Sequence, residues 1–381
     1  MGSNAMRILI TTDVAGGVWS YTEELTDALL ARGHTLCLVI LGEPGAVQRS
    51  WLAKHRDLSV TLLPSPLEWE PEPEPGLSAS VEALRRVVEA EQPDVIHLNQ
   101  YYYGAFALGA PHVVVAHSDV VSWWRAVKRE EPPADAWFRR YRRWVAEGLR
   151  GARVRVAPSR WIAQQIESIY GLGPVRVVYN GRSARRFRAR RRARREPVVV
   201  AAGRLWDEAK GARDLIPAAA LLAGRARVVL AGPATHPAEG EAFPVDAPGL
   251  EWVGMLDAEE LRLLLSQARV YTATSRYEPF GLAPLEAALA GCALVLSDIP
   301  TFRELWDGCA LFYAPGDAGA LAEAALALLG DEDRRKALAD AARARALSRY
   351  TPARMAERYE AVYRDAVESA AREPVAANGR R

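Results

Sequence analysis

The sequence predicts an α/β protein made of two doubly wound parallel-sheet domains facing each other across a cleft. Three observations predict it. A chain of 381 residues suits two or three domains at roughly 150 residues each. Short β-branched apolar runs alternate with helical stretches along most of its length, which is the pattern of strands buried on both faces by crossover helices. The alternation stops once, at an arginine run, and then starts again.

In the first half the runs are Arg7 to Thr12, Thr35 to Leu41, Val60 to Leu63, Val95 to Leu98, Val113 to Ala116, Val154 to Ala157 and Val175 to Val178. Between the third and fourth, Glu68 to Pro75 alternates Glu and Pro and reads as a stiff surface loop. The second half brings Val198 to Ala202, Arg227 to Ala231, Leu250 to Val253, Val270 to Thr274 and Ala293 to Ser297. From Asp317 to Ala371 the composition is helical, and Pro352 breaks it near Tyr350, so that a last helix follows from about Ala353. The expected organisation is a first domain over 6–183, a basic linker over 184–196, a second domain over 197–350 and a C-terminal helix over 351–371. Met1 to Ala5 read as an added leader before a start at Met6 and are left out of the fold.

Half of the residues are hydrophobic and 25% are charged, an ordinary globular balance that excludes disordered and fibrous classes. The longest apolar runs fall far short of the roughly 20 residues that cross a bilayer. Cys37, Cys292 and Cys309 are scattered among apolar neighbours, with neither disulfide nor metal-ligand spacing, which fits a cytoplasmic protein. The formal charge of +2 hides an uneven distribution, because Arg182 to Arg195 holds nine arginines and no acid. That run is expected to be a solvated linker, with a basic patch for an anionic membrane or a phosphorylated substrate as the alternative. No nucleic-acid recognition module is legible.

In open α/β folds, ligands gather beyond the carboxyl ends of the strands, so chemistry is sought there. After the first strand, Gly16-Gly17 opens a helix and would let backbone approach an anion, although a purely structural turn reads nearly as well. His117 follows the Val113 run and is placed to hydrogen-bond a substrate hydroxyl. After the Val198 run come Gly203-Arg204 and, six residues later, Lys210-Gly211, two cations at one helix start, which suits a diphosphate. After the Val270 run, Glu278-Pro279-Phe280-Gly281-Leu282 leads into a helix carrying Glu286. Glu278 would reach a ligand from the loop and Glu286 from the helix, while free amides around Phe280, Gly281 and Leu282 would hold an anion. Paired carboxylates at such a place suit sugar hydroxyls.

These motifs resemble the retaining, B-fold glycosyltransferases of family 4 across nearly the whole chain. Glu278 and Glu286 match the family's E-x7-E signature, Arg204 and Lys210 its G-R-L…K-G clamp, Asn180-Gly181 its turn before the linker, Gly16 and Gly17 its N-terminal glycine pair, and His117 its histidine. The resemblance implies two Rossmann-like domains of the GT-B type and a nucleotide-sugar donor such as a UDP- or GDP-sugar. Arg204 and Lys210 would bind the diphosphate, Glu286 the ribose, Glu278 the transferred sugar, and the Gly281 and Leu282 amides phosphate or sugar. Gly254-Met255 would border the base, and His117 would contact the sugar near the reacting carbon. The last helix would cross back to the first domain. Two positions depart from the pattern: Arg182 stands where relatives often have an aliphatic residue, and Asn99 where many have a histidine.

The expected reaction is transfer of a hexose to a hydroxyl acceptor with retention, without metal or cofactor, by a monomer or homodimer. Fixed cations would stabilise the leaving phosphate directly. Asp331-Glu332-Asp333 reads as a helix cap rather than a metal site. Eight of the eleven tryptophans fall in the first half. Trp123, Trp124, Trp137 and Trp144, with Tyr101 to Tyr103, are candidates for acceptor contact, but Trp137, Tyr141 and Trp144 recur at helical spacing, which favours a core stripe. The competing readings are a nucleotide-sugar epimerase on the same fold and a non-catalytic sugar-nucleotide-binding subunit.

Overall fold

The computed structural model describes residues 5–14, 16–187, 195–236 and 242–372. They form two compact units. One holds the chain up to Ser122, Glu131–Gly181 and everything from Pro352; the other holds Trp123–Glu130 and Arg182–Thr351.

The strands in chain order are β1 Arg7–Asp13, β2 Thr35–Leu41, β3 Ser59–Leu63, β4 Val95–Leu98, β5 His112–Val115, β6 Val154–Ala157, β7 Val175–Val177, β8 Glu196–Ala202, β9 Arg227–Ala231, β10 Leu250–Trp252, β11 Ala268–Ala273, β12 Ala293–Ser297 and β13 Leu311–Tyr313. The helices are α1 Gly16–Leu30, α2 Ala46–Leu52, α3 Gly76–Glu91, α4 Val120–Lys128, α5 Ala136–Gly151, α6 Arg160–Tyr170, α7 Leu215–Leu222, α8 Ala258–Gln267, α9 Leu282–Ala290, α10 Pro300–Trp306, α11 Ala318–Gly330, α12 Glu332–Arg349 and α13 Pro352–Arg372. The sequence reading missed the three-residue strand β13.

The first unit's sheet has the order β3-β2-β1-β4-β5-β6-β7 and the second unit's β10-β9-β8-β11-β12-β13. Every described pairing is parallel. In each sheet the order reverses at one point, between β1 and β4 and between β8 and β11. Such reversals splay the connecting loops to opposite faces and leave a crevice at the carboxyl ends of the two strands. Ile8, Leu9 and Ile10 on β1 are fully buried, as a central strand covered on both faces requires.

Local chemistry sets the helix limits. Ser159 accepts from the Ile162 amide to start α6, and Gly171, at φ 63°, ends it. Asp257 and Glu260 form a reciprocal capping box on α8. Asp331 accepts from the Arg334 amide at 2.9 Å and caps α12. Helix α12 belongs to the second unit, whereas α13, which starts on Pro352, belongs to the first. There Met355, Tyr359 and Tyr363 join Trp19, Tyr21 and Leu25 of α1 in one apolar core.

The two ends of the arginine run depart from the solvated linker expected. Arg182 is buried. Arg195 is part-buried and donates to the carbonyls of Leu265 near the end of α8, Ala268 at the start of β11 and Ala290 at the end of α9. The middle of the run, 188–194, lies outside the described residues, and with it most of the proposed membrane patch. Glu68, in the Glu/Pro segment expected at the surface, is also buried and accepts from the Tyr101 amide at 2.9 Å. All three cysteines are free and buried, and burial pushes their thiols up, Cys37 to about 11.

Candidate active site

In the second unit the candidate residues cluster at the point where strand order reverses. Strand β8 ends at Ala202 and Gly203 follows; the loop after β9 comes close to it because Gly232 has no side chain, since a Cβ there would stand 1.9 Å from the Gly203 carbonyl oxygen. Arg204 follows. Its Nη2 donates to Asp207 Oδ2 at 2.7 Å, yet half of its side chain stays exposed. Asp207 also caps the turn that presents Lys210, accepting from the Ala209 amide at 2.9 Å. One acid thus aims both cations.

Lys210-Gly211 is sutured to the loop after β11. The Thr274 hydroxyl donates to the Lys210 carbonyl at 2.7 Å, and the Arg276 amide donates to the Ala209 carbonyl at 2.7 Å. Gly211, at φ 60°, leaves no room for a side chain, since a Cβ would lie 2.2 Å from the Thr274 carbonyl oxygen. Close packing of these loops brings Lys210 Nζ to 2.6 Å from Glu278 Oε2. The sequence placed these two groups 68 residues apart, and the fold makes them an ion pair.

Gly281 adopts φ 93° ahead of α9, with the Phe302 ring 3.0 Å from where a Cβ would be. The turn brings Phe280 under the Tyr350 ring and opens Leu282 partly to solvent. Glu286, one turn into α9, is buried. Arg182 donates to its Oε1 from Nε at 2.7 Å and from Nη2 at 2.6 Å. Sequence reading flagged Arg182 only as a departure; no local signal could pair it with a residue 104 positions away. Glu278 and Glu286 both flank Tyr271, whose phenol is raised by burial first and by these two carboxylates after it. Gly254, at φ 75°, accepts from the Gly232 amide at 2.7 Å, and the next residue, Met255, is 77% exposed. Arg204, Lys210, Glu278, Glu286, Gly254, Met255, Phe280, Gly281 and Leu282 therefore all lie in one unit at the carboxyl ends of its strands.

His117, Gly16 and Gly17 lie in the first unit. Gly16 takes φ 58° and both glycines are exposed at the start of α1. His117 follows β5, half-buried, with Tyr21 edge-on at 4.5 Å. Its Nε2 is 2.7 Å from Asn99 Oδ1. Desolvation by burial, and then His97, pull its pKa down to about 3, so it is neutral at physiological pH. Neighbouring Asp119 is structural: it accepts from the Tyr170 hydroxyl at 2.5 Å and the Ser122 amide at 2.7 Å, and burial raises its carboxyl. Of the aromatic candidates, Tyr101 to Tyr103, Tyr141 and Trp144 are buried. Trp137 stacks on Tyr141 at 5.5 Å, so the stripe on α5 is core.

Two parallel α/β units, one carrying a lysine–glutamate pair, an exposed arginine and a buried glutamate at its switch point, have the architecture of the GT-B glycosyltransferases. The chain belongs to the family 4 and group 1 glycosyltransferases: residues 15–186 match the model described as Glycosyltransferase Family 4, and residues 196–331 that of Glycosyl transferases group 1. It is 29% identical over 321 residues to an alpha-maltose-1-phosphate synthase of Mycolicibacterium smegmatis, covering 74% of this chain and 81% of that protein. To a glycogen synthase of Mycobacterium tuberculosis it is 29% identical over 292 residues, covering 68% of this chain and 65% of the relative. Among solved structures, sucrose-phosphate synthase from Thermosynechococcus elongatus superposes with a TM-score of 0.76 at 20% identity, over 96% of this chain and 100% of that one. Anabaena HepE in complex with UDP-glucose gives 0.74 at 17%, over 96% and 100%. At these identities the two structures speak to the fold.

Proposed function

We propose that this enzyme moves a hexose from a nucleoside-diphosphate sugar to a hydroxyl acceptor with retention at the anomeric carbon, needing no metal, in the cytoplasm. The observation that carries the reading is the Lys210–Glu278 pair at 2.6 Å beside the half-exposed Arg204. A cation that touches both a carboxylate and an open face spans the junction between a diphosphate and the sugar it carries.

In the reaction the bond between the anomeric carbon and the phosphate oxygen breaks, and its electron pair goes to the phosphate. The acceptor oxygen forms the new bond on the same face, and its proton passes to a phosphate oxygen. Arg204 and Lys210 stabilise the charge that grows on the leaving group; cations already in place cost no reorganisation as it develops. Glu278 is held by Lys210 and so positions sugar hydroxyls rather than attacking carbon, unlike the nucleophile of retaining hydrolases. Glu286 Oε2 takes the ribose, and neutral His117 accepts from a hydroxyl of the transferred sugar. Gly254 and Met255 border the base, and Gly16-Gly17 amides face the phosphate or acceptor side. Three sealed thiols suit a reducing compartment.

Nucleoside-diphosphate release with a panel of UDP-, GDP- and ADP-sugars and a hydroxyl acceptor tests the reading. Lys210→Ala is expected to lower kcat/KM by roughly 100-fold or more, the cost of losing one preorganised charge contact. Wild-type turnover in that variant would overturn the assignment.

A further inference from the structure

We propose that Asn99 is a positioning residue that locks His117 as its Nε2–H tautomer, so that the imidazole offers an unprotonated Nδ1 to a sugar or acceptor hydroxyl. The proposal rests on the reading of His117 as a sugar contact and adds how that contact is prepared.

The geometry leaves one proton arrangement. Asn99 Nδ2 donates to the Thr11 carbonyl at 2.7 Å, and the Asn99 amide donates to Thr11 Oγ1 at 3.1 Å, so the carboxamide is oriented with Oδ1 toward the two histidines. That oxygen can only accept. His117 Nε2 at 2.7 Å and His97 Nε2 at 3.0 Å must both carry the hydrogen. His97 Nδ1 is then a lone pair, filled by the Tyr363 hydroxyl at 2.7 Å. His117 Nδ1 meets no protein donor among the described residues, and it is not sealed among the buried polar atoms that lack a partner. One ring is closed on both nitrogens and the other is open on one. The titratable groups facing the pair are Tyr21 of α1 and Tyr359 and Tyr363 of α13, all uncharged in the physiological range because burial raises their phenols. The array thus reaches from α13, 266 residues downstream of His97, to the candidate site.

The departure from the family pattern gains a physical reading here. A histidine at position 99 could present either a donor or an acceptor to His117, whereas the amide oxygen of asparagine presents only an acceptor.

Nitrogen-15 NMR of the full chain, with histidine labelling and His117→Gln for assignment, reads the tautomer directly and without any substrate. A protonated Nε2 and bare Nδ1 on His117 is the expected result, and the reverse tautomer would overturn the proposal. Two variants test the consequence. Asn99→Ala should lower kcat by about 10-fold or more while leaving the Kd for the nucleoside diphosphate unchanged. Asn99→Asp keeps an acceptor toward His117 but gives up the Nδ2 donation to the Thr11 carbonyl and adds a charge that favours imidazolium, so kcat should show a new loss on the acid side. If Asn99→Ala lowers the melting temperature and weakens nucleotide binding without a kcat effect, Asn99 is structural and the proposal fails. If the wild-type chain turns over no sugar donor while the tautomer is as stated, the functional reading fails instead.

Discussion

At the scale of single residues, two carboxylates show how burial and partners divide their roles. Glu286 is buried against Arg182, and breaking a buried pair leaves a charge without compensation. Arg182→Leu is expected to cost about 3 kcal/mol or more in urea unfolding, with much of it recovered when Glu286→Gln is added. Equal losses in the single and double variants would show that the pair is not coupled. Glu68 is the opposite case. One oxygen accepts from Tyr101 while Oε2 is buried with no partner, and burial raises the carboxyl to about 7. A raised carboxyl pKa means that the folded state holds its proton longer than the unfolded one. Its contribution therefore turns unfavourable as pH climbs from about 4.5 toward 7. Glu68→Gln should match wild type near pH 4.5 and exceed it in melting temperature at pH 8, by the equivalent of about 1–3 kcal/mol. A pH-independent difference would contradict this.

At the scale of elements, contacts with no sequence signature hold α5 and α13 in place. Gly148 of α5 packs against backbone, and a Cβ there would stand 1.8 Å from the Tyr101 carbonyl oxygen; on Gly151 it would stand 2.0 Å from that of Gly104. Neither partner is a flexible side chain that could yield, so Gly148→Ala should destabilise the first unit by at least about 3 kcal/mol in denaturant titration. Helix α13 is clamped by Glu360, which accepts from Arg32 Nη2 at 2.8 Å and lies 2.9 Å from His34 Nε2. The Arg32 hydrogen bond, opposed by burial and helped by His34, lowers Glu360 to about 2. A depressed carboxyl pKa gives stability that is complete above about pH 4.5 and lost as pH falls toward 2. Glu360→Gln should remove that acid limb from the melting profile while leaving untouched the loss of stability that Glu68 brings as pH climbs from about 4.5 toward 7.

At the scale of the whole molecule, besides the short excursion Trp123–Glu130, the chain passes from the first unit to the second at Gly181–Arg182 and returns at Thr351–Pro352. A chain ending at Thr351 would deprive the first unit of Met355, Tyr359 and Tyr363. Limited proteolysis should then digest that unit while the second survives; equal resistance of both would refute the dependence. Much of this plan was legible in the sequence, because central strands such as Thr35–Leu41 and Val95–Leu98 are apolar on both faces and their runs stand out. So were Arg204, Lys210, Glu278 and Glu286, which sit in short motifs directly after strands. Asp207, Arg182, Asn99 and the His97–Tyr363 bond were not, since their meaning comes from partners that only folding brings near. The arginine run misled at its ends, where Arg182 finds a carboxylate and Arg195 a set of carbonyls. The sealing of Cys37, Cys292 and Cys309 has a practical side. With all three native thiols inside the core and reluctant to ionise, a cysteine put in place of exposed Met255 should take up a maleimide dye alone, giving a fluorescent reporter of nucleotide arrival in an otherwise unaltered chain.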